Sequence, residues 1–199
     1  MRVRTHTNPF NFYSRLEPIE FKKIFPNQTE SLDLEIGFGR GIFLKQWAKL
    51  NPDRNIVGVE IRKTIVNDFE AILKAENFTN THLILGNGEI VLADCFEDKS
   101  VSNIFVFHPD PWFKKSHHKR RVIRPKFLEV VRKKLKNDGK LYISTDVTPL
   151  WEAMSETLLE SGFQKIDDSH FWENVYTTNW HILSEKQKRD FNFGTFVLS

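Results

Sequence analysis

From Leu32 onward, apolar and polar positions fall into a regular order. Leu32-Asp-Leu-Glu-Ile36 alternates with period two, the signature of a strand, and Gly41 to Leu50 follows with helical spacing. Asn55 to Ile61 repeats the strand pattern and Lys63 to Glu76 the helical one. Short apolar runs at His82 to Leu85 and Ile104 to Phe107 predict two further strands. A helix is expected over Pro125 to Lys136, because proline in a first turn lacks only an N–H that a helix leaves unpaired. Asn137-Asp-Gly139 then predicts a turn into a strand at Leu141 to Ser144, and Leu150 to Glu160 a helix that Gly162 ends. Phe163 to Ile166 and Thr195 to Leu198 read as closing strands. Such βα alternation predicts an α/β fold, a mostly parallel seven-stranded sheet with helices on both faces.

Two stretches resist this reading. Residues 1–31 form a basic, aromatic leader (Arg2, Arg4, His6, Phe10, Phe12, Tyr13, Arg15) with room for a short helix near Pro18 to Phe25. Its cations either touch RNA or belong to a tail. Residues 167–193 mix aromatics with a charged helical run at Ser184 to Arg189. The expected organisation is therefore a leader, 1–31, and one domain, 32–199.

Composition narrows the class. A chain of 199 residues, 40% hydrophobic and 28% charged, fits one ordinary globular domain. The net charge is only +3, so any nucleic-acid footprint must come from local clustering. Cys95 is the single cysteine and is expected in the core, which excludes an intrachain disulfide and any multi-cysteine metal site. No run is long and apolar enough for a membrane span, and the N-terminus lacks the apolar core of a signal peptide. A cytoplasmic protein with no metal and no membrane partner is expected.

The first candidate chemistry lies in Glu35-Ile-Gly37-Phe-Gly39-Arg-Gly41, between the first strand and the first helix. Glycines there let a ligand approach the backbone, and the following helix supplies unpaired N–H groups. The spacing is one residue short of the dinucleotide G-x-G-x-x-G pattern, while Glu60 occupies the place of the acid that binds ribose hydroxyls. Glu35 discriminates between ligands. A carboxylate beside the first glycine repels a pyrophosphate and suits a positive amino group, as in the methionine end of S-adenosylmethionine (SAM). A nicotinamide-dependent oxidoreductase fits less well. Asn87, in Leu85-Gly-Asn87-Gly-Glu89, offers an amide for the adenine edge.

The second lies in Phe107 to Arg121, FHPDPWFKKSHHKRR. Pro109 and Pro111 cannot continue a central strand, so the chain turns there, holding Asp110 and Trp112 at the strand end. Lys114, Lys115, Lys119, Arg120, Arg121 and Arg124 follow with no acid among them. A solvated face usually mixes signs, so this run is read as a phosphate contact. His117 and His118 are adjacent and do not share one face, which argues against a metal site. Asp146, ending Ser144-Thr145-Asp146, either reaches the same sheet edge as Asp110 or caps the following helix.

Taken in order, EIGxGxG, Gly58-Val-Glu60, PDPWxKKxHHKRR and Thr145-Asp146 resemble the bacterial tRNA (guanine-N7-)-methyltransferases of the TrmB type, over most of the chain from Glu35 onward. The resemblance implies a Rossmann-like class I SAM-dependent methyltransferase. It would methylate N7 of the guanine at position 46 of the tRNA variable loop. Monomer and homodimer both stay open, since one sequence does not fix the oligomeric state. It further implies SAM binding by Glu35, Glu60, Asn87 and Asp110, with Asp110 also catalytic. Lys114 and Asp146 match substrate positions, and Ser116, His117, His118, Lys119, Arg120 and Arg121 match the RNA-contacting segment. Two departures stand out. His108 replaces the usual Phe before PDPW, and the C-terminal T-x-F-E motif is absent as such. Counting back from the last strand aligns its Glu with Glu185 and puts Ile182 where Thr is expected. Anchoring on Thr178 instead leaves His181 for Glu and needs an insertion. Glu185 is the preferred match. A relative that binds tRNA without methylating it is the alternative.

Overall fold

Leu32–Ile36 (β1) lies in the middle of the sheet, where all five residues are buried. Its alternation sends Leu32, Leu34 and Ile36 into the apolar core of one face and leaves Asp33 and Glu35 to the other. The computed structural model describes residues 15–27 and 29–199. The leader's Arg2, Arg4, His6, Phe10, Phe12 and Tyr13 lie outside the described residues. Asn55–Glu60 (β2), Thr81–Leu85 (β3), Val101–Phe107 (β4), Leu135–Thr145 (β5), Phe163–Ile166 (β6) and Asn192–Leu198 (β7) complete a seven-stranded sheet of order β3-β2-β1-β4-β5-β7-β6. β7 runs antiparallel to β5 and β6, whereas the other described pairings are parallel.

Helices cover both faces. Ile42–Leu50 (α2, after the short α1 at Phe21–Ile24), Lys63–Ala75 (α3) and Ser169–Asn174 (α7) pack an aromatic core of Phe43, Trp47, Phe69 and Phe171 on Phe105, Phe107 and Tyr142. On the opposite face Gly88–Cys95 (α4), Pro125–Lys134 (α5) and Thr148–Glu160 (α6) bury Leu92, Phe127, Val131 and Met154 against Ile104, Val106 and Ile143. Cys95 is buried among them. Asn179–Lys186 (α8) leads into β7.

Several expectations need correction. The α4 helix was absent from the sequence reading. Its residues are apolar nearly all round, so no amphipathic period betrays it, although Asn87 caps it by accepting from Glu89 N (2.9 Å). The fifth helix stops at Lys134, and β5 already starts at Leu135, which pairs with Val101. Residues 136–139 then bulge before Lys140 pairs with Asn103, so the expected turn is an excursion within the strand. Asp146 is no helix cap: Val147 occupies that position, with no side-chain cap. The charged run at Ser184 to Arg189 overlaps only the end of α8.

Strand order reverses between β1 and β4, and ligands of open α/β sheets bind beyond the strand C-termini at such a point. Gly37 follows β1 there, and His108 to Trp112 follow β4.

Candidate active site

The five parallel strands deliver their C-terminal residues to one edge: Glu35 and Gly37 from β1, Glu60 from β2, Asn87 after β3, Asp110 after β4 and Asp146 after β5. Gly37, Gly39 and Gly41 all have positive φ (80°, 55° and 69°). At Gly37 a Cβ would meet nothing within 4 Å, so the turn leaves open space in front of its backbone.

Glu35 is 3% exposed, and its Oε2 has no hydrogen-bond partner among the described residues. Burial, reinforced by the nearby Glu60 charge, pushes its carboxyl up to about 8. Asp33, two residues earlier on the same face, is satisfied by Arg54 (2.6 and 2.8 Å), Trp47 Nε1 (2.9 Å) and Asn103 Nδ2 (2.9 Å). One buried carboxylate of β1 is thus fully paired and the other is left with an unmet acceptor.

Glu60 is also buried, yet richly served. Its oxygens accept from Gly39 N (3.2 Å), Ile61 N (2.9 Å), Arg62 N (3.1 Å) and the Arg62 guanidinium (2.8 and 3.0 Å). Asp110 adds to the negative field that Arg62 feels, which sets it near the Arg62–Glu60 pair.

Two non-glycine residues of the Pro-Asp-Pro turn, His108 and Trp112, have φ of 47° and 43°. Such values are uncommon for bulky side chains and concentrate at functional sites. The basic segment is a 3₁₀ turn, Lys115–Arg120, rather than an open loop. Trp112 carries Arg120 over its ring at 5.0 Å and His117 edge-on at 5.7 Å. Arg121 donates to the Pro111 carbonyl (2.9 Å), fastening the segment to the turn. Lys114, Lys115, Ser116 and Lys119 are exposed, and His117, His118, Arg120 and Arg121 half-buried.

Asp146 has a side chain that is 0% exposed. It accepts from Arg189 Nη1 (2.7 Å) and Ser184 Oγ (3.3 Å) at one oxygen, and faces His108 Nδ1 (3.4 Å) at the other. His108 Nε2 lies 2.8 Å from the Tyr176 hydroxyl. None of this cluster except Asp146 was singled out for chemistry from sequence; the departure at His108 was its one signal. Glu185 is placed differently. Its side chain is 67% exposed and stands 3.6 Å from His181, while Ser184 is the α8 residue that turns inward.

A methyltransferase family model described as "Putative methyltransferase" matches residues 29–197. Among curated relatives, the tRNA (guanine-N(7)-)-methyltransferase of Prochlorococcus marinus is 34% identical over 86% of this chain and 85% of its own length. The chain belongs to the tRNA (guanine-N7-)-methyltransferase family. The protein of that name from Colwellia psychrerythraea is also 34% identical, covering 88% of this chain and 71% of its own. Solved structures agree in fold. The 16S rRNA methyltransferase KamB superposes with a TM-score of 0.67 at 15% identity, over 92% of this chain and 95% of its own. The aminoglycoside resistance methyltransferase NpmB1 gives 0.62 at 15% identity, over 88% and 89%.

The cofactor of this class is SAM. At this edge Glu35 Oε2 is an unmet buried acceptor and the backbone at Gly37 is open, whereas the Glu60 oxygens are already engaged by Gly39, Ile61 and Arg62. Among the described residues no His/Cys/Asp/Glu group could hold a metal ion, and no helix is long and apolar enough to cross a membrane.

Proposed function

We propose that this chain transfers a methyl group from SAM to N7 of a guanine in tRNA, the variable-loop guanine at position 46. The observation that carries this reading is the shared edge of the sheet. There Glu35 near the end of β1 and the Asp110–Trp112 turn after β4 come to one edge, with a cationic segment fastened to the turn.

SAM, once bound, supplies an electrophilic methyl on a sulfonium. Guanine N7 is an acceptor with an in-plane lone pair and no proton, so the attack needs no general base. The protein's work is orientation. Glu35 anchors the amino-acid end, Gly37 and Gly39 let it lie against the backbone, Glu60 takes the ribose and Asn87 the adenine side. Asp110 or Asp146 accepts hydrogen bonds from the guanine N1–H and N2–H edge. That contact strengthens as the base acquires positive charge, so it favours the transition state over the ground state. Lys114, Lys119, Arg120 and Arg121, with Ser116, His117 and His118, hold the phosphates around a base that has left its stack. Glu185, exposed beside His181, contributes to substrate binding. A tRNA substrate suits the cytoplasm.

The test is incubation with radiolabelled-methyl SAM and unmodified tRNA, followed by cleavage specific for 7-methylguanine. One labelled variable-loop guanine is expected. Binding of both SAM and tRNA without transfer would instead support a non-catalytic tRNA-binding relative.

A further inference from the structure

All the described phenylalanines but Phe113 and Phe193 pack into or against the two apolar cores. Phe193, 39% exposed, still stacks on Phe191 (5.0 Å) and leans on Trp172 (4.9 Å). Phe113 is 75% exposed, more than any other large hydrophobic side chain described. A single exposed apolar residue is common and says nothing by itself. The setting of this one singles it out. It follows Trp112, whose ring lies under Arg120 (5.0 Å) with His117 edge-on (5.7 Å), so Trp112 braces the segment while Phe113 is the ring turned to solvent. The chain is pinned on both sides of it. Arg121 donates to the Pro111 carbonyl (2.9 Å), and the His117 N–H donates to the Lys114 carbonyl (2.8 Å). Lys114, Lys115, Ser116 and Lys119 beside it are exposed, and no acid occurs from Trp112 to Arg124. Phe113 stands three residues after Asp110, a separation the chain limits to about 11 Å.

We propose that Phe113 is a stacking platform for the tRNA base that flanks the target guanine. The inference rests on the proposed function and adds a substrate contact to it. A guanine that leaves its stack strips its neighbour of one stacked face. A ring held out on a pinned turn, close to Asp110, covers that face with little loss of side-chain freedom. Exposed rings interleaved with cations hold single-stranded segments in this way: the cations follow the phosphates and the ring takes a base. Every base has a π-face, so the contact tolerates sequence. An apolar protein partner fits this surface poorly, because docking on Phe113 would desolvate Lys114 and Lys115 without supplying a counter-charge.

The experiment compares the full chain with Phe113→Ala, Phe113→Leu and Phe113→Trp. It uses filter binding of unmodified tRNA, SAM calorimetry, melting curves, sedimentation, and the fluorescence of tRNA carrying 2-aminopurine at either nucleotide flanking the guanine. Phe113→Ala should weaken tRNA binding about 5–100-fold, with SAM Kd within about twofold of wild type and melting unchanged. Phe113→Trp should return to within about threefold, because it restores a π-face, whereas Phe113→Leu should stay near Ala. The slope of log affinity against log salt should not change in Phe113→Ala, since no phosphate contact is lost. At one flanking position 2-aminopurine should be quenched by wild type and by Phe113→Trp, but not by Phe113→Ala. A Phe113→Ala variant that binds tRNA within twofold of wild type, a Leu variant as tight as wild type, or fluorescence indifferent to the ring at both positions would overturn the inference. So would a change of oligomeric state in Phe113→Ala with tRNA affinity intact, which would make the ring a protein contact. A wild-type protein that binds tRNA but transfers no methyl group sinks the proposed reaction instead, and the binding and fluorescence series then decides the Phe113 assignment alone.

Discussion

Replacing Glu35 by Gln tests the core of the cofactor assignment, and the structure sets the scale. With its carboxyl pushed up to about 8, Glu35 is mostly protonated in the free protein at neutral pH. Binding an ammonium requires the ionised form. The apparent SAM Kd of wild type should therefore weaken about tenfold for each pH unit below 8, roughly 10-fold at pH 7 and 100-fold at pH 6. Above that range the ligand's own α-amino group, with a reference pKa of roughly 8, loses its charge and affinity falls again. Gln keeps an acceptor but no charge, so Glu35→Gln should forfeit a charge-assisted hydrogen bond and bind SAM roughly 50–100-fold more weakly at pH 8. At pH 6 the two proteins should converge, because wild type is then neutral as well. Titration calorimetry from pH 6 to 9 in buffers of differing ionisation enthalpy measures both the Kd and the released proton. A wild-type Kd that is flat between pH 6 and 8, or a Gln variant that binds like wild type at pH 8, would refute the reasoning.

The same shift makes a stability statement. The folded pKa lies above the unfolded value of 4.5, so folding is unpenalised below pH 4.5 and loses stability as pH rises toward about 8. The full loss is on the order of 5 kcal/mol. Without ligand, Glu35→Gln should melt higher than wild type at pH 8 and alike at pH 4.5, and saturating SAM should close the gap at pH 8.

Asp110→Asn should lower turnover at least about tenfold while leaving SAM Kd within roughly threefold, by single-turnover kinetics and calorimetry; equal loss of both would make Asp110 a cofactor-pocket residue only. Lys115→Ala with Lys119→Ala should reduce the slope of log tRNA affinity against log salt by about 1.5, as two phosphate contacts predict, with SAM binding unchanged in the same filter-binding series. Gly41→Ala should destabilise the fold by about 2–4 kcal/mol in urea melts, since φ is 69° and the new Cβ would lie 2.2 Å from the Phe69 ring; a variant as stable as wild type would show that the first turn of α2 can yield.

Much of the sheet was legible because strands buried on both faces, such as Ile104 to Phe107, announce themselves by unbroken apolarity. The glycine turn was legible because positive φ at Gly37, Gly39 and Gly41 favours glycine, and the Pro-Asp-Pro turn because proline cannot continue a central strand. What escaped has equally physical causes. α4 is short, half-buried on its outer side and carries no clear helical stripe, so Asn87 was read as a ligand group before it was seen as a cap. The aromatics of α7 serve packing, with Phe171 stacked on Phe105 at 5.9 Å, and their spacing follows the core instead of a solvent boundary. The His108–Tyr176 contact joins residues 68 positions apart, and no local period encodes it.

β1 shows why an acid in a strand cannot be assigned by type alone. Asp33 and Glu35 share a strand, a face and near-complete burial. Arg54, Trp47 and Asn103 converge on Asp33, so its charge is matched by donors that the fold itself supplies. Around Glu35 the fold supplies a second acid, Glu60, and a glycine turn with no side chain to offer. A buried carboxylate in that setting is stable only when protonated or when a cation arrives from outside. The unmet acceptor at Glu35 is therefore the place on β1 where a cation from outside the fold would be stabilised, which Asp33, already matched, does not offer.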